Sequence, residues 1–266
     1  MGTPIVTLTA DWGTTGFFAG MVKGALYSFI EDLRIVDIDL CIEPHNIMAA
    51  SFVVRHACTG FPPGTVHIID VAANRSPERP FVALRAAGQY YICCDNGLPQ
   101  AALGDTVEEA VEIQVNPNGV YNFAAYNPFV PVAAELLSGT PLSELGPTRA
   151  NLTSLMQPTY MPHNDGYRVF AHYIDAYGNI YLGMTFEEFE RLRGQHKKFT
   201  LQVRDKRIHE LSVGYIPPRT DSDPTHRLRL TVSATGLLEL AMSESSFIQL
   251  IGGPKLGEYV QLTFHD

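Results

Sequence analysis

The sequence predicts an α/β N-terminal domain, a central sheet flanked by helices, followed by a mostly antiparallel β domain. Three observations carry this. Strand-length apolar runs alternate with helical stretches over the first half of the chain, the alternation that builds α/β sheets. From about Arg168 onward, short strands and turns replace it. Between the two, residues 147–167 hold several prolines and polar residues, the composition of a linker. The expected division is 1–160 for the α/β domain and 161–266 for the β-rich domain. A chain of 266 residues can bury a substantial core.

Residues 4–10 form the first strand, followed at once by the polar turn Asp11-Trp12-Gly13-Thr14-Thr15-Gly16. A helix follows over about 17–30, then a strand over 34–39. A second helix begins near Asn46 and runs to Cys58. Strands are expected at 65–70, 81–86 and 90–93, a helical turn at 101–103 and a short strand at 111–115. A helix over 131–138 stops at Gly139-Thr140-Pro141. In the second domain, strands are expected at 168–175, 179–183, 199–203, 207–213, 227–233, 236–241 and 258–264, with a helix over 185–192. The run from Pro217 to Pro224 reads as an exposed loop.

The chain carries 19 Lys+Arg against 28 Asp+Glu, a formal charge of -9, with no basic run. That argues against nucleic acid as a partner, while leaving room for a nucleotide-sized ligand. No apolar run reaches bilayer-spanning length and no signal peptide is recognisable, so no membrane partner and a cytoplasmic location are expected. Cys41, Cys58, Cys93 and Cys94 show no C-x-x-C spacing, and the histidines show no zinc-type spacing. Reduced thiols and no metal are expected.

The chemistry concentrates after the first strand. Asp11 stands at a strand's C-terminal end, where open α/β sheets bind ligands. A carboxylate there can accept two hydroxyls at once, as a ribose offers. Its ordinary alternative is a helix N-cap beside a turn glycine. Farther on, Asp175-Ala176-Tyr177-Gly178-Asn179 reads either as a hairpin turn or as a site. As a site, its carboxylate and amide would bind an ammonium-carboxylate group and its aromatic would stack on a purine.

Asp11-Trp12-Gly13-Thr14-Thr15, Lys23-Gly24 and Ile35-Val36-Asp37-Ile38 resemble the start of S-adenosylmethionine hydroxide adenosyltransferases, to which fluorinases and chlorinases are related. The resemblance continues through Glu43-Pro44-His45-Asn46-Ile47-Met48-Ala49-Ala50, Phe61-Pro62-Pro63-Gly64-Thr65-Val66-His67 and Asp95-Asn96-Gly97-Leu98. It returns at Asp175–Asn179 and at Gly236-Leu237-Leu238-Glu239-Leu240-Ala241. It implies a two-domain homotrimer, with sites between the large domain of one subunit and the small domain of the next. It also implies S-adenosylmethionine as substrate rather than cofactor. Asp11, Trp12, Thr14, His45, Asn96, Asp175, Tyr177 and Asn179 would line the nucleoside site, with backbone groups around Met242 and Glu244 at the adenine edge.

The family hydrolases handle water with an Asp, an Arg and a His, and here the chain departs from them. Gapless matching puts Ala72 at the Asp position, Arg79 at the Arg position and Ala124 at the His position. Ala125 stands where the halide-using relatives place a hydroxyl, and Arg75 enters the nucleophile turn. Asp70 is the candidate replacement. On a continuing strand it shares the face of Ala72, about 6–7 Å away; otherwise it ends the strand and accepts turn N–H groups. Arg79 reads equally as a holder of a carboxylate or as a surface residue before Pro80. His67 matches a position the family uses for packing. The leading expectation is an adenosyl-transferring hydrolase that releases adenosine and methionine, with Asp70 and Arg79 as catalytic candidates. The alternative is a catalytically silent or repurposed nucleoside-binding homotrimer. A transferase using another anion, guided by Arg75, is a third reading.

Overall fold

The computed structural model describes residues 2–215, 228–243, 245–253 and 255–266. The chain divides into two compact units, Met1–Met156 and Gln157–Asp266.

The first unit is α/β. Its elements are β1 (Ile5–Ala10), α1 (Phe18–Phe29), β2 (Arg34–Asp39), α2 (Ile47–Ala57), β3 (Val66–Asp70), β4 (Phe81–Ala86), β5 (Gln89–Cys94), α3 (Leu98–Leu103), β6 (Val107–Glu112), α4 (Val130–Leu137) and α5 (Leu142–Leu145). The sheet order is β2-β1-β3-β5-β4-β6. β2, β1, β3 and β5 run parallel, while β4 is antiparallel to both β5 and β6. All of β3 is buried, as expected of a parallel strand covered on both faces. β4 turns directly into β5 through Ala87 and Gly88, both at positive φ, the geometry of a tight hairpin. Val22 and Leu26, four apart on α1, face a core that includes Leu8, Ile68, Phe81 and Phe129. The Asn46 side chain caps α2 by accepting the Ala49 N–H at 3.0 Å.

Two expectations for this unit shift. The strand expected at 111–115 begins at Val107, because Glu108 and Glu109 belong to it and face Arg85 of β4. After Gly139-Thr140-Pro141 the chain makes another short helix, α5.

The second unit is antiparallel β. It comprises β7 (Tyr160–His163), β8 (Gly166–Ile174), β9 (Ile180–Thr185), α6 (Phe186–Arg193), β10 (Lys198–Val203), β11 (Lys206–Ile208), β12 (Leu228–Val232), β13 (Leu237–Met242), α7 (Phe247–Ile251) and β14 (Tyr259–His265). The strand order is β11-β10-β14-β8-β9-β13-β12, with β7 paired to β8. A bridge from Leu211 to Leu230 draws the two ends of this sheet together, nearly closing a barrel. Leu182, Met184, Phe189, Leu201, Leu240, Phe247 and Leu262 fill the core. A capping box between Thr185 and Glu188 starts α6.

β7 lies inside the stretch expected to be a linker. Asn164, at φ 49°, reverses the chain between β7 and β8. Pro162 is tolerated because β7 pairs on one side only among the described strands. The strand expected over 207–213 is shorter, ending at Ile208. The expected loop from Pro217 to Pro224 lies outside the described residues.

Candidate functional site

Two constellations emerge, one in each unit. In the first unit, β1 and β3 are parallel neighbours with Ala10 opposite Asp70. Asp11 and Asp70 therefore stand together at the C-terminal ends of adjacent central strands, the edge where such sheets bind ligands.

Asp11 organises two turns. Its Oδ2 accepts the backbone N–H of His45 at 2.9 Å and that of Ala72 at 3.3 Å. Both donors have left-handed backbones, His45 at φ 64° and Ala72 at φ 49°. A non-glycine residue there costs roughly 1–2 kcal/mol, so the two bonds hold conformations the chain would not adopt freely. The segment that carries His45 is pinned by Gly13 N–H to the Leu40 carbonyl (2.7 Å) and Ile42 N–H to the Ala10 carbonyl (3.2 Å). The His45 ring is exposed. Oδ1 of Asp11 takes no hydrogen bond from the described residues, which leaves it open to ligand hydroxyls.

Asp70 is 7% exposed. Its Oδ2 accepts the Trp12 indole N–H at 2.9 Å and the Ala125 backbone N–H at 3.3 Å. Burial pushes its carboxyl up to about 6, the two hydrogen bonds pull down, and the neighbouring Asp11 charge adds to the rise. β3 ends at Asp70 and Ala72 is left-handed. The strand alternation that would have put Asp70 and Ala72 on one face therefore does not extend that far. Asp70 instead reaches the backbone of the 124–125 turn. Trp12 packs edge-on against Phe123 at 5.3 Å, and Phe123 against Phe18 at 5.0 Å, an aromatic wall beside the two carboxylates.

Asn96 is a latch. Its amide donates to the Val71 and Ala72 carbonyls at 3.1 and 3.2 Å, and its Oδ1 accepts the Leu98 N–H. The turn after β3 is thereby tied to the start of α3. Asp95 beside it is buried and paired with Arg149 at 2.8 Å.

The remaining candidates in this unit stand apart. Thr14, Arg75 and Arg79 are exposed. The Arg79 carbonyl and N–H close a turn with Ser76. Both guanidinium charges and Asp70 act on the buried Cys94 thiol, whose proton affinity burial raises to about 12. His67 is fully buried between Thr7 and Gln89 and stacks on Tyr91 at 4.6 Å. Burial lowers it to about 4, so it is neutral packing.

In the second unit, Asp175, Tyr177, Asn179 and Met242 line one cavity of about 610 Å³, together with Tyr181, Tyr215, Ser243 and Ser245. The size suits a small organic ligand. The β8–β9 turn is a hairpin turn and a cavity wall at once. Asp175 Oδ1 accepts the N–H groups of Tyr177 and Asn179, each at 2.9 Å, and Oδ2 accepts the Asn179 amide at 3.2 Å. Gly178, at φ 80°, closes the turn where a Cβ would strike Ser246. Glu244 lies outside the described residues. The sequence reading missed Tyr181, Tyr215, Ser243 and Ser245. Tyr181 was within reach of it, since it sits two residues after Asn179 and alternation places it on the same face. Tyr215 was not, because only the folded sheet brings it there.

The SAM hydroxide adenosyltransferase N-terminal domain matches residues 6–146. The (R)-S-adenosyl-L-methionine hydrolase of Salinispora arenicola is 29% identical over 200 residues, covering 71% of this chain and 76% of that protein. The protein of the same name from Salinispora tropica is 29% identical over 199 residues, with the same coverage. A crystal structure of an uncharacterized conserved protein from Thermotoga maritima superposes with a TM-score of 0.82, at 24% identity, covering 97% of this chain and 99% of that one. That likeness establishes the fold. Because the matched domain spans more than half of the chain and contains Asp11, Asp70 and Asn96, this protein belongs to the SAM hydroxide adenosyltransferase family.

Proposed function

We propose that this protein binds S-adenosylmethionine and cleaves its C5′–S bond with water, releasing adenosine and methionine. The observation that carries the proposal is Asp70: buried, with its carboxyl at about 6, one oxygen bonded and the other taking no hydrogen bond from the described residues. It points at the 124–125 turn, where resemblance places the water-handling His and the halide-side hydroxyl of relatives. A carboxylate with that proton affinity is ionised at neutral pH and is a fitting general base.

The reaction asks little else. The water oxygen bonds to C5′ as the C5′–S bond breaks. The electron pair returns to sulfur, the sulfonium becomes the neutral thioether of methionine, and the water proton passes to Asp70. No general acid and no cofactor are required. Asp11 holds the ribose hydroxyls through Oδ1, and the Trp12–Phe123 wall limits water to the one that reacts. The second unit supplies Asp175 and Asn179 for the polar end of the ligand, Tyr177 for the purine, and backbone near Met242 for its edge. The active assembly in this proposal is a homotrimer, with a cytoplasmic location.

One observation favours the second reading, a nucleoside-binding protein without turnover: Ala72 and Ala124 carry no functional group. Incubation with S-adenosylmethionine, with and without halide, followed by chromatography separates the readings. Slow adenosine and methionine release, lost in Asp70→Asn, supports the hydrolase. Tight binding with no product supports the silent binder. Asp70→Asn releasing adenosine at the wild-type rate removes Asp70 as base. Light scattering at micromolar concentration tests assembly; a monomer there counts against the trimer.

A further inference from the structure

Behind the wall of the Asp175 cavity lies a carboxylate with no role assigned so far. Glu239 stands mid-strand on β13, opposite Tyr181 of β9 and Thr231 of β12. It is 0% exposed. Oε2 accepts the Tyr215 hydroxyl at 2.9 Å; Oε1 is buried with no hydrogen bond of full geometry from the described residues, the Asn179 amide being the nearby donor. A buried carboxylate oxygen left unpaired is costly, and each such atom calls for an explanation.

The groups that face Glu239 are cavity residues: Tyr215 from the segment after β11, Asp175 and Asn179 from the β8–β9 turn, and Tyr181 from β9. On β12, Arg229 turns its guanidinium to Ser212 and Glu210, at 3.4 and 3.9 Å. Burial and the Asp175 charge both raise the proton affinity of Glu239. A cation in the cavity would act in the opposite direction and favour ionisation.

We propose that Glu239 is a positioning residue of this pocket. Ionised when a protonated amine occupies the cavity, it fixes the Tyr215 hydroxyl and the Asn179 amide in the orientation that receives the ligand. The inference rests on the S-adenosylmethionine-binding reading above. An ionised Glu239 only accepts hydrogen bonds. The Tyr215 O–H then points at it, and the oxygen lone pairs of Tyr215 remain for the ligand. The Asn179 amide group, already donating to Asp175, is turned with its nitrogen toward the two carboxylates and its oxygen away from them. A neutral Glu239 offers an O–H donor and competes with that arrangement. On binding, its proton leaves to solvent. The clamp on Tyr215 is double, because Ser243 Oγ donates to the Tyr215 carbonyl.

Calorimetry on the intact protein tests this. The titrants are S-adenosylmethionine, which carries the amine, and adenosine, which does not. The window runs from about pH 5 to about pH 7, below the range where an α-amino group titrates. Tyr215, held up to about 12, and Tyr181, raised further, stay protonated throughout. Asp70 titrates in the window but is common to both proteins. The readout is therefore the ratio of wild-type to Glu239→Gln affinity. For S-adenosylmethionine this ratio should rise several-fold across the window, because binding with release of the Glu239 proton is favoured as pH increases. For adenosine it should stay flat. Tyr215→Phe should weaken S-adenosylmethionine several-fold and keep the rise with pH. A flat ratio for S-adenosylmethionine in folded Glu239→Gln overturns the inference. If a thermal melt shows that Glu239→Gln does not fold, Tyr215→Phe decides, and wild-type affinity in that variant overturns it. Wild-type protein that binds neither titrant sinks the S-adenosylmethionine reading, and this inference falls with it.

Discussion

Replacing Asp70 by asparagine removes one charge from the first unit and keeps the side chain's shape. The folded protein raises this carboxyl from its ordinary 3.8 to about 6, mainly by burial. The folded state therefore holds the proton more tightly than the unfolded chain, and ionisation opposes folding. At about 1.4 kcal/mol per tenfold, the penalty is roughly 3 kcal/mol at neutral pH. It is complete above about pH 6, shrinks as pH falls from there toward 3.8, and is gone below that. Asparagine abolishes it at every pH. The Trp12 and Ala125 N–H groups keep an acceptor in the amide oxygen. The new NH₂ group costs about 1 kcal/mol where it finds no partner. The net expectation at pH 7 is a gain of about 2 kcal/mol in urea unfolding, with no gain near pH 4, alongside loss of adenosine release. A variant no more stable than wild type at pH 7, or equally stabilised at both pH values, refutes the picture of Asp70 as a buried, strained base.

Asp11→Ala should weaken nucleoside binding by ~2–3 kcal/mol, the worth of hydrogen bonds to a charged group; unchanged affinity in calorimetry removes Asp11 from the site. Arg149→Ala leaves the buried Asp95 carboxylate without its cation and should cost about 3–5 kcal/mol in denaturant unfolding; a loss below 1 kcal/mol would mean that Thr153 N–H and solvent suffice. The double change Ala72→Asp with Ala124→His should raise hydrolysis more than either single change, since cooperating groups are non-additive; progress curves in which one single change matches the double contradict this.

The layout of the fold was legible where one residue type dictates one geometry. The apolar run before Asp11, the short apolar runs of β3 and β5, and the Gly139-Thr140-Pro141 stop all work through local preference. β7 was hidden because Pro158 and Pro162 read as linker residues, although an edge strand has room for a proline. β6 was placed late because its glutamates mask its start, and their partner Arg85 is distant in sequence. The site divides in the same way. Asp11 and the Asp175 turn announce themselves through local chemistry. Asp70's partners, the Trp12 ring and the Ala125 backbone, lie 58 and 55 residues away in sequence. Glu239 lies in the Gly236–Ala241 run, but its burial and its bond to Tyr215 exist only in the assembled sheet.

Two departures from the family pattern, Ala72 and Ala124, fall on the water side of the reaction, and a third, at Ser233-Ala234-Thr235-Gly236, falls where relatives bind adenine. Ala72 and Ala124 carry no group that could handle water, whereas the turns around Asp11, proposed to hold the nucleoside, are physically over-determined. His45 and Ala72 both keep left-handed backbones, and their N–H groups converge on one oxygen of Asp11. Such strain persists only where the surroundings fix it, and Asn96 ties the same turn from the other side. On the proposed reading, binding and turnover are therefore separable. In the proposed site Asp11 and Asn96 would set the geometry of the ligand, and Asp70 combines burial, a raised proton affinity and an oxygen that takes no hydrogen bond from the described residues. Sulfonium departure leaves a neutral thioether, so one base and good alignment can suffice for slow hydrolysis. If Asp11→Ala abolishes binding while Asp70→Asn preserves it and stops product release, the hydrolase reading holds against the silent binder. If both variants change binding alone, the protein is a nucleoside receptor built on a hydrolase fold.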